Sequence, residues 1–110
     1  MKMDILEAQT KVGLWSEQNF DRSELGYHAL LGIVEELGEL AHSHLKQLQG
    51  IRGTPRQHVE KGKDAIGDIL VYLMDYCSQR GWDMQTIMED TVNHVTKRDW
   101  KANTVTGVKP

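Results

Sequence analysis

Gly32-Ile33-Val34-Glu35-Glu36-Leu37-Gly38-Glu39-Leu40 carries two patterns at once. At about 100° per residue, a helix here gathers Glu35, Glu36 and Glu39 within an arc of roughly 100°, and Ile33, Val34, Leu37, Leu40 and Ala41 fill the other side. Like charges at helical spacing cost a few tenths of a kcal/mol each, so the cluster needs either full solvation or a cation.

The surrounding chain bounds the answer. Its 110 residues are 39% apolar and 26% charged, the composition of one ordinary globular domain with room for a modest core. No apolar run approaches the roughly 18 to 20 residues that cross a bilayer, and Met1-Lys2-Met3-Asp4-Ile5-Leu6-Glu7 lacks a signal-peptide core, so a cytoplasmic protein without a membrane partner is expected. The single cysteine, Cys77, rules out an intramolecular disulfide and a cysteine-rich zinc cage, and reads as a small core residue. A net charge of -3 and a pI near 5.9 leave no global basic field for a nucleic-acid polymer.

Apolar periodicity predicts a first helix from Met3 to about Phe20 through Ile5, Leu6, Ala8, Val12 and Trp15. Ser23 reads as the N-cap of a second helix from about Glu24 to Leu48, whose arc of Leu30, Ile33, Val34, Leu37, Leu40, Ala41, Leu45 and Leu48 would wall the core. The loop Gln49-Gly50-Ile51-Arg52-Gly53-Thr54-Pro55 ends it. Thr54 then caps, and Pro55 opens, a third helix to about Gln79 that stops at Arg80-Gly81. Its core side is Ile66, Ile69, Leu70, Leu73, Met74 and Cys77, and on the opposite arc Asp64, Asp68 and Asp75 align within about 40°. Asp83 caps a fourth helix from Met84 to about Asp99, and residues 100–110 read as an extended tail. The expected architecture is all-α, a bundle of four helices.

Taken alone, Glu35-Glu36-x-x-Glu39 fits a solvated acidic face. The second cluster, Asp64 with Asp68, lies one short loop away, and helices so joined pack antiparallel, so the two arcs can face one cleft. Such a donor set, oxygen-rich and free of cysteine, suits Mg²⁺ or Mn²⁺, and a hard divalent cation held by carboxylates works on phosphate esters and anhydrides.

At these residues the chain resembles the MazG-like all-α nucleoside triphosphate pyrophosphohydrolases. The resemblance rests on Glu35-Glu36-Leu37-Gly38-Glu39-Leu40 and Asp64-Ala65-Ile66-Gly67-Asp68-Ile69-Leu70. Trp15 with Asn19-Phe20, Gln49-Gly50-Ile51-Arg52 and Lys97-Arg98-Asp99-Trp100 extend it over nearly the whole chain. It implies a Glu-x-x-Glu motif in Glu36 and Glu39, and a second motif whose aspartate is Asp68. The glutamate of that second motif is replaced by Ala65, with Asp64 the nearest substitute. The implied reaction splits a (deoxy)nucleoside triphosphate, the deoxy form favoured, between its α and β phosphates to give a monophosphate and pyrophosphate. Two or three Mg²⁺ ions, replaceable by Mn²⁺, would be held by Glu36, Glu39, Asp64 and Asp68, with Glu35 as base or supporting ligand. Trp15, Asn19 and Phe20 are candidates for the base pocket, and Asn93, Lys97 and Arg98 for phosphate or sugar. The family's assembly implies a homodimer or homotetramer.

Two other readings remain open at this level. Glu39-Leu40-Ala41-His42 has the Glu-x-x-His spacing of di-iron carboxylate bundles, although no second copy exists in the chain. A non-catalytic helical interaction module with wet acidic faces needs no cation. His28, His44, His58 and His94 are assigned no role.

Overall fold

In a computed structural model, which describes residues 2–21 and 24–110, the chain is all-helical, with no strand among the described residues. Helix α1 spans Ile5–Asn19, a single 3-10 turn occupies Glu24–Gly26, and α2 spans Tyr27–Gln49, α3 Pro55–Arg80 and α4 Met84–Val95. No helix among the described residues is long and apolar enough to cross a membrane.

Local chemistry explains the boundaries. Asp4 accepts the Glu7 amide at 2.8 Å to start α1, and Gln85 reaches back from α4 to accept the Ile5 and Leu6 amides at 3.0 and 3.3 Å. Thr54 and Gln57 form a reciprocal capping box with Pro55 in the first turn of α3. Gly50 and Gly81 end α2 and α3 in the left-handed region, at φ 69° and 73°. The expected cap Ser23 lies outside the described residues. α2 itself begins at Tyr27 rather than Glu24, because Leu25 at φ 49° and Gly26 at φ 77° break the helical path.

Helix α3 is the shared partner, packed against α2 on one side and α1 on another. The expected core arcs hold only in part: Leu40 reaches Gly62 of α3, and Ile33, Ile69, Leu73 and Met74 are half-buried. On α2 the surfaces facing α3 are small: Ala29, Gly32 and Ser43 are buried, and they meet a face of α3 that carries His58, Gly62, Ala65 and Tyr72. A methyl group built on Gly32 would sit 2.4 Å from Tyr72 Cε1 and Cζ, so this ring lies directly on the backbone of α2. The larger aliphatics are left outside. Val34 is 63% exposed, Leu37 57% and Leu48 74%, and on α3 Ile66 and Leu70 are exposed while only Cys77 of the expected core side is buried. Small residues allow close helix approach, and close approach pushes the bulky stripe outward.

The fourth helix also departs from a closed bundle. It packs chiefly against the start of α1 and has no buried residue among the described ones. It ends at Val95, four residues before the expected Asp99, where Thr96 closes it. Residues 100–110 are turned rather than extended. The Asp99 amide donates to the Gly107 carbonyl at 2.7 Å and the Gly107 amide to Asn103 at 2.8 Å, which folds the segment back on itself.

Candidate functional site

The paired acidic helices and α1 enclose a cavity of about 380 Å³. Part of its lining is aromatic. Trp15 and Phe20, at the end of α1 and just beyond it, meet edge to face with centroids 5.4 Å apart and planes at 79°. Glu36 from α2 and Asp68 from α3 line the same space.

Packing of α2 on α3 brings these carboxylates together. Glu36 shares the α3-facing side of α2 with Gly32 and is half-buried there, whereas Glu35 and Glu39 flank it in solvent. Its carboxyl is pushed above the ordinary value, first by desolvation and then by the charges of Asp68, Glu35 and Glu39. The ion pair of Lys63 with Glu60, on the same helix as Asp68, lies outside the cavity lining. Tyr72, one turn beyond Asp68, lies within the same field: burial and the charges of Glu35, Glu36, Asp68 and Asp75 raise its hydroxyl, which stays a neutral donor.

The donor chemistry, carboxylate oxygen from two facing helices, fits a hard divalent cation. The side chains themselves stand apart: among the described residues no three His, Cys, Asp or Glu groups converge closely enough to hold a metal ion. Asp64 and Glu39 are exposed and do not line the cavity. Asn19, expected in the base pocket, turns its amide onto its own helix and donates to the Trp15 carbonyl at 2.8 Å. Asn93, Lys97 and Arg98 belong to α4 and the turn after it, away from this cavity. Arg98 contacts its own segment, with its guanidinium 3.1 Å from His94 Nε2 and 5.6 Å above the Trp100 ring.

Several cavity residues carried no readable signal in the sequence. Ser16 is buried and its hydroxyl donates to Asp75 Oδ2 at 2.9 Å, while Gln79, one turn further along α3, lines the same wall. His28 also lines the cavity, although it carries no sequence-level assignment. Asp75 alone was legible, as the third member of the aspartate arc. Away from the cavity, buried Gln9 stitches α1 to the α3–α4 turn through the Trp82 carbonyl at 2.7 Å and the Met84 amide at 2.8 Å. No protein-family model, curated protein or solved structure matches the chain.

Proposed function

We propose that the chain is a Mg²⁺-dependent nucleoside triphosphate pyrophosphohydrolase of the MazG-like kind. The observation that carries this reading is a cavity lined by both an aromatic pair, Trp15 and Phe20, and the carboxylates Glu36 and Asp68. A nucleotide matches both features: a flat base that stacks on aromatic rings, and a polyanion that meets carboxylates only through cations.

Glu36, Glu39, Asp64 and Asp68 are the oxygen donors in this proposal. Bound Mg²⁺, or Mn²⁺ in its place, would polarise the phosphoryl oxygens and offset the charge that develops on the leaving pyrophosphate. The oxygen of the attacking water bonds to the α phosphorus as the bond to the bridging α,β oxygen breaks, and Glu35 either takes the water's proton or serves as a supporting ligand. Tyr72, kept neutral, can donate a hydrogen bond within the site. Trp15 and Phe20 hold the base.

The assembly is part of the proposal. Asn93, Lys97 and Arg98 do not reach the cavity within one protomer, and α4 packs chiefly against α1. In a homodimer or homotetramer, α4 of a second copy would bring these groups to the phosphates.

The test is direct. The chain, supplied with Mg²⁺ and separate (d)NTPs, is expected to release pyrophosphate and the monophosphate, and Glu36→Gln or Asp68→Asn to lower turnover by at least 100-fold. Release of inorganic phosphate instead, or unchanged turnover in both variants, would sink the assignment. A calorimetric titration showing neither Mg²⁺ nor nucleotide binding would leave the helical interaction module as the better account.

A further inference from the structure

The larger aliphatic side chains of the α2–α3 hairpin lie outside in a regular pattern. On α2, Leu30, Val34, Leu37, Leu45 and Leu48 are all exposed, and with Ala41 they follow spacings of four and three residues that keep them within an arc of about 80°. That arc lies roughly 150° round α2 from Ala29, Gly32 and Ser43, the buried residues of its α3 side. On α3, exposed Val59, Ile66 and Leu70 fall within about 40° of one another, roughly 100° from the face that meets α2. Gly32 lies against Tyr72 and Ser43 against Gly62, so the two helices run antiparallel. Both arcs turn in the same sense from the contact, which sets them on one face of the hairpin. None of these side chains lines the cavity, and α1 sits on the other side of α3, where Ser16 meets Asp75.

We infer that this face is covered by the same face of a second copy, so that two hairpins close one four-helix core. Spacings of four and three are those of a coiled-coil seam, in which helices cross at about 20° and stay in contact along their length. A two-fold axis needs a face that can pack against itself, and an apolar seam does so. The chain also lacks the centre of a core when alone: no large side chain among the described residues is fully buried. Its 8509 Å² of surface exceeds that of a compact monomer of its mass by about 2,300 Å². A stable interface takes about 800 Å² from each partner, so the excess is ample. Lys63, which falls between Val59 and Ile66 in the same spacing, already has Glu60 at 3.5 Å, so the seam can cover its stem without leaving a bare charge. This pairing does not depend on what the cavity binds.

Sedimentation velocity of the full chain, without metal or nucleotide, is expected to give at least twice the chain mass at micromolar concentration. Val34→Glu and Ile66→Glu, each placing a charge in the seam, are expected to weaken association by about 100-fold or more. Val105→Glu, at a valine that is 88% exposed but off the hairpin, is expected to leave the association intact. Should the charged variants not fold on their own by circular dichroism, hydroxyl-radical footprinting of the wild type decides the matter. Val34 and Val105 are 63% and 88% exposed in the protomer, so in a lone chain they oxidise at similar rates. Covered by a second copy, Val34 is expected to react about tenfold more slowly, or slower still. A monomeric wild type, association that survives both seam variants, or equal oxidation of Val34 and Val105 overturns the inference. None of these readouts involves pyrophosphate release, so the interface and the hydrolase reading fail separately.

Discussion

Glu36 shows how much one position is asked to do. Its carboxyl is raised by burial and by three acidic neighbours, so the folded chain takes up a proton there more readily than the unfolded chain. The sign follows: this site costs nothing below the ordinary carboxylate range, and the cost grows as pH rises through the raised value. Without metal, Glu36→Gln is therefore expected to increase the urea midpoint at pH 7 and to leave it nearly unchanged at pH 4. A gain of equal size at both pH values would show that charge is not the cause. If the site holds Mg²⁺, the cation and the proton compete for the same oxygens. The rise in Tm on adding Mg²⁺ is then expected at pH 8 and to vanish as pH falls through the raised value. Gly32 makes the complementary case for shape. Alanine there gains helix propensity of about 1 kcal/mol but collides with the Tyr72 ring at 2.4 Å. The collision should win, with a net loss of about 1–3 kcal/mol in denaturant unfolding. Gly38→Ala meets nothing within 4 Å in the protomer and is expected to be neutral or stabilising.

Among the elements, the α2–α3 hairpin is the frame that brings Glu36 and Asp68 to one cavity. Its turn is held by the capping box and by buried His58, whose Nε2 lies 2.9 Å from the Ile51 carbonyl. Removing the cap with Thr54→Ala is expected to cost about 1 kcal/mol in unfolding free energy. The cavity lies toward the opposite end of the hairpin, so Mg²⁺-dependent turnover measured below the unfolding transition should be little changed. A large loss of turnover at full folding would mean that the turn takes part in the site. Helix α1 contributes differently, by carrying Trp15 and Ser16 to the wall that α3 presents.

The whole molecule is open for its size. Its radius of gyration is 17.6 Å, against about 13 Å for a compact chain of this length. It exposes 8509 Å², against about 6,200 Å² for a compact monomer of its mass. The excess, about 2,300 Å² per chain, doubles to about 4,600 Å² across a two-fold interface, within the range of obligate homodimers. Sedimentation at micromolar concentration is expected to show a dimer or tetramer. Leu37→Glu, placed on the exposed aliphatic stripe of α2, is expected to weaken the assembly and lower the thermal midpoint. A monodisperse wild-type monomer would refute this assembly.

The sequence by itself determined the helices, because helix formation is written in local terms: caps at Asp83 and Thr54, proline at the start of α3, glycines at its ends, and apolar periodicity between them. It also marked Glu36 and Asp68 as a pair worth placing together, since two acidic motifs separated by a short loop have few ways to lie apart. Tertiary structure decided which face of each helix is inside. Periodicity names the bulky stripe of α2, but contact with α3 is set by how closely two backbones can approach, and Gly32, Ala29 and Ser43 win that contest over Val34 and Leu37. It decided as well that Ser16, Asp75 and Gln79 share a wall. Ser16 and Asp75 are 59 positions apart, and no local pattern ties a buried serine on α1 to the carboxylate that it orients.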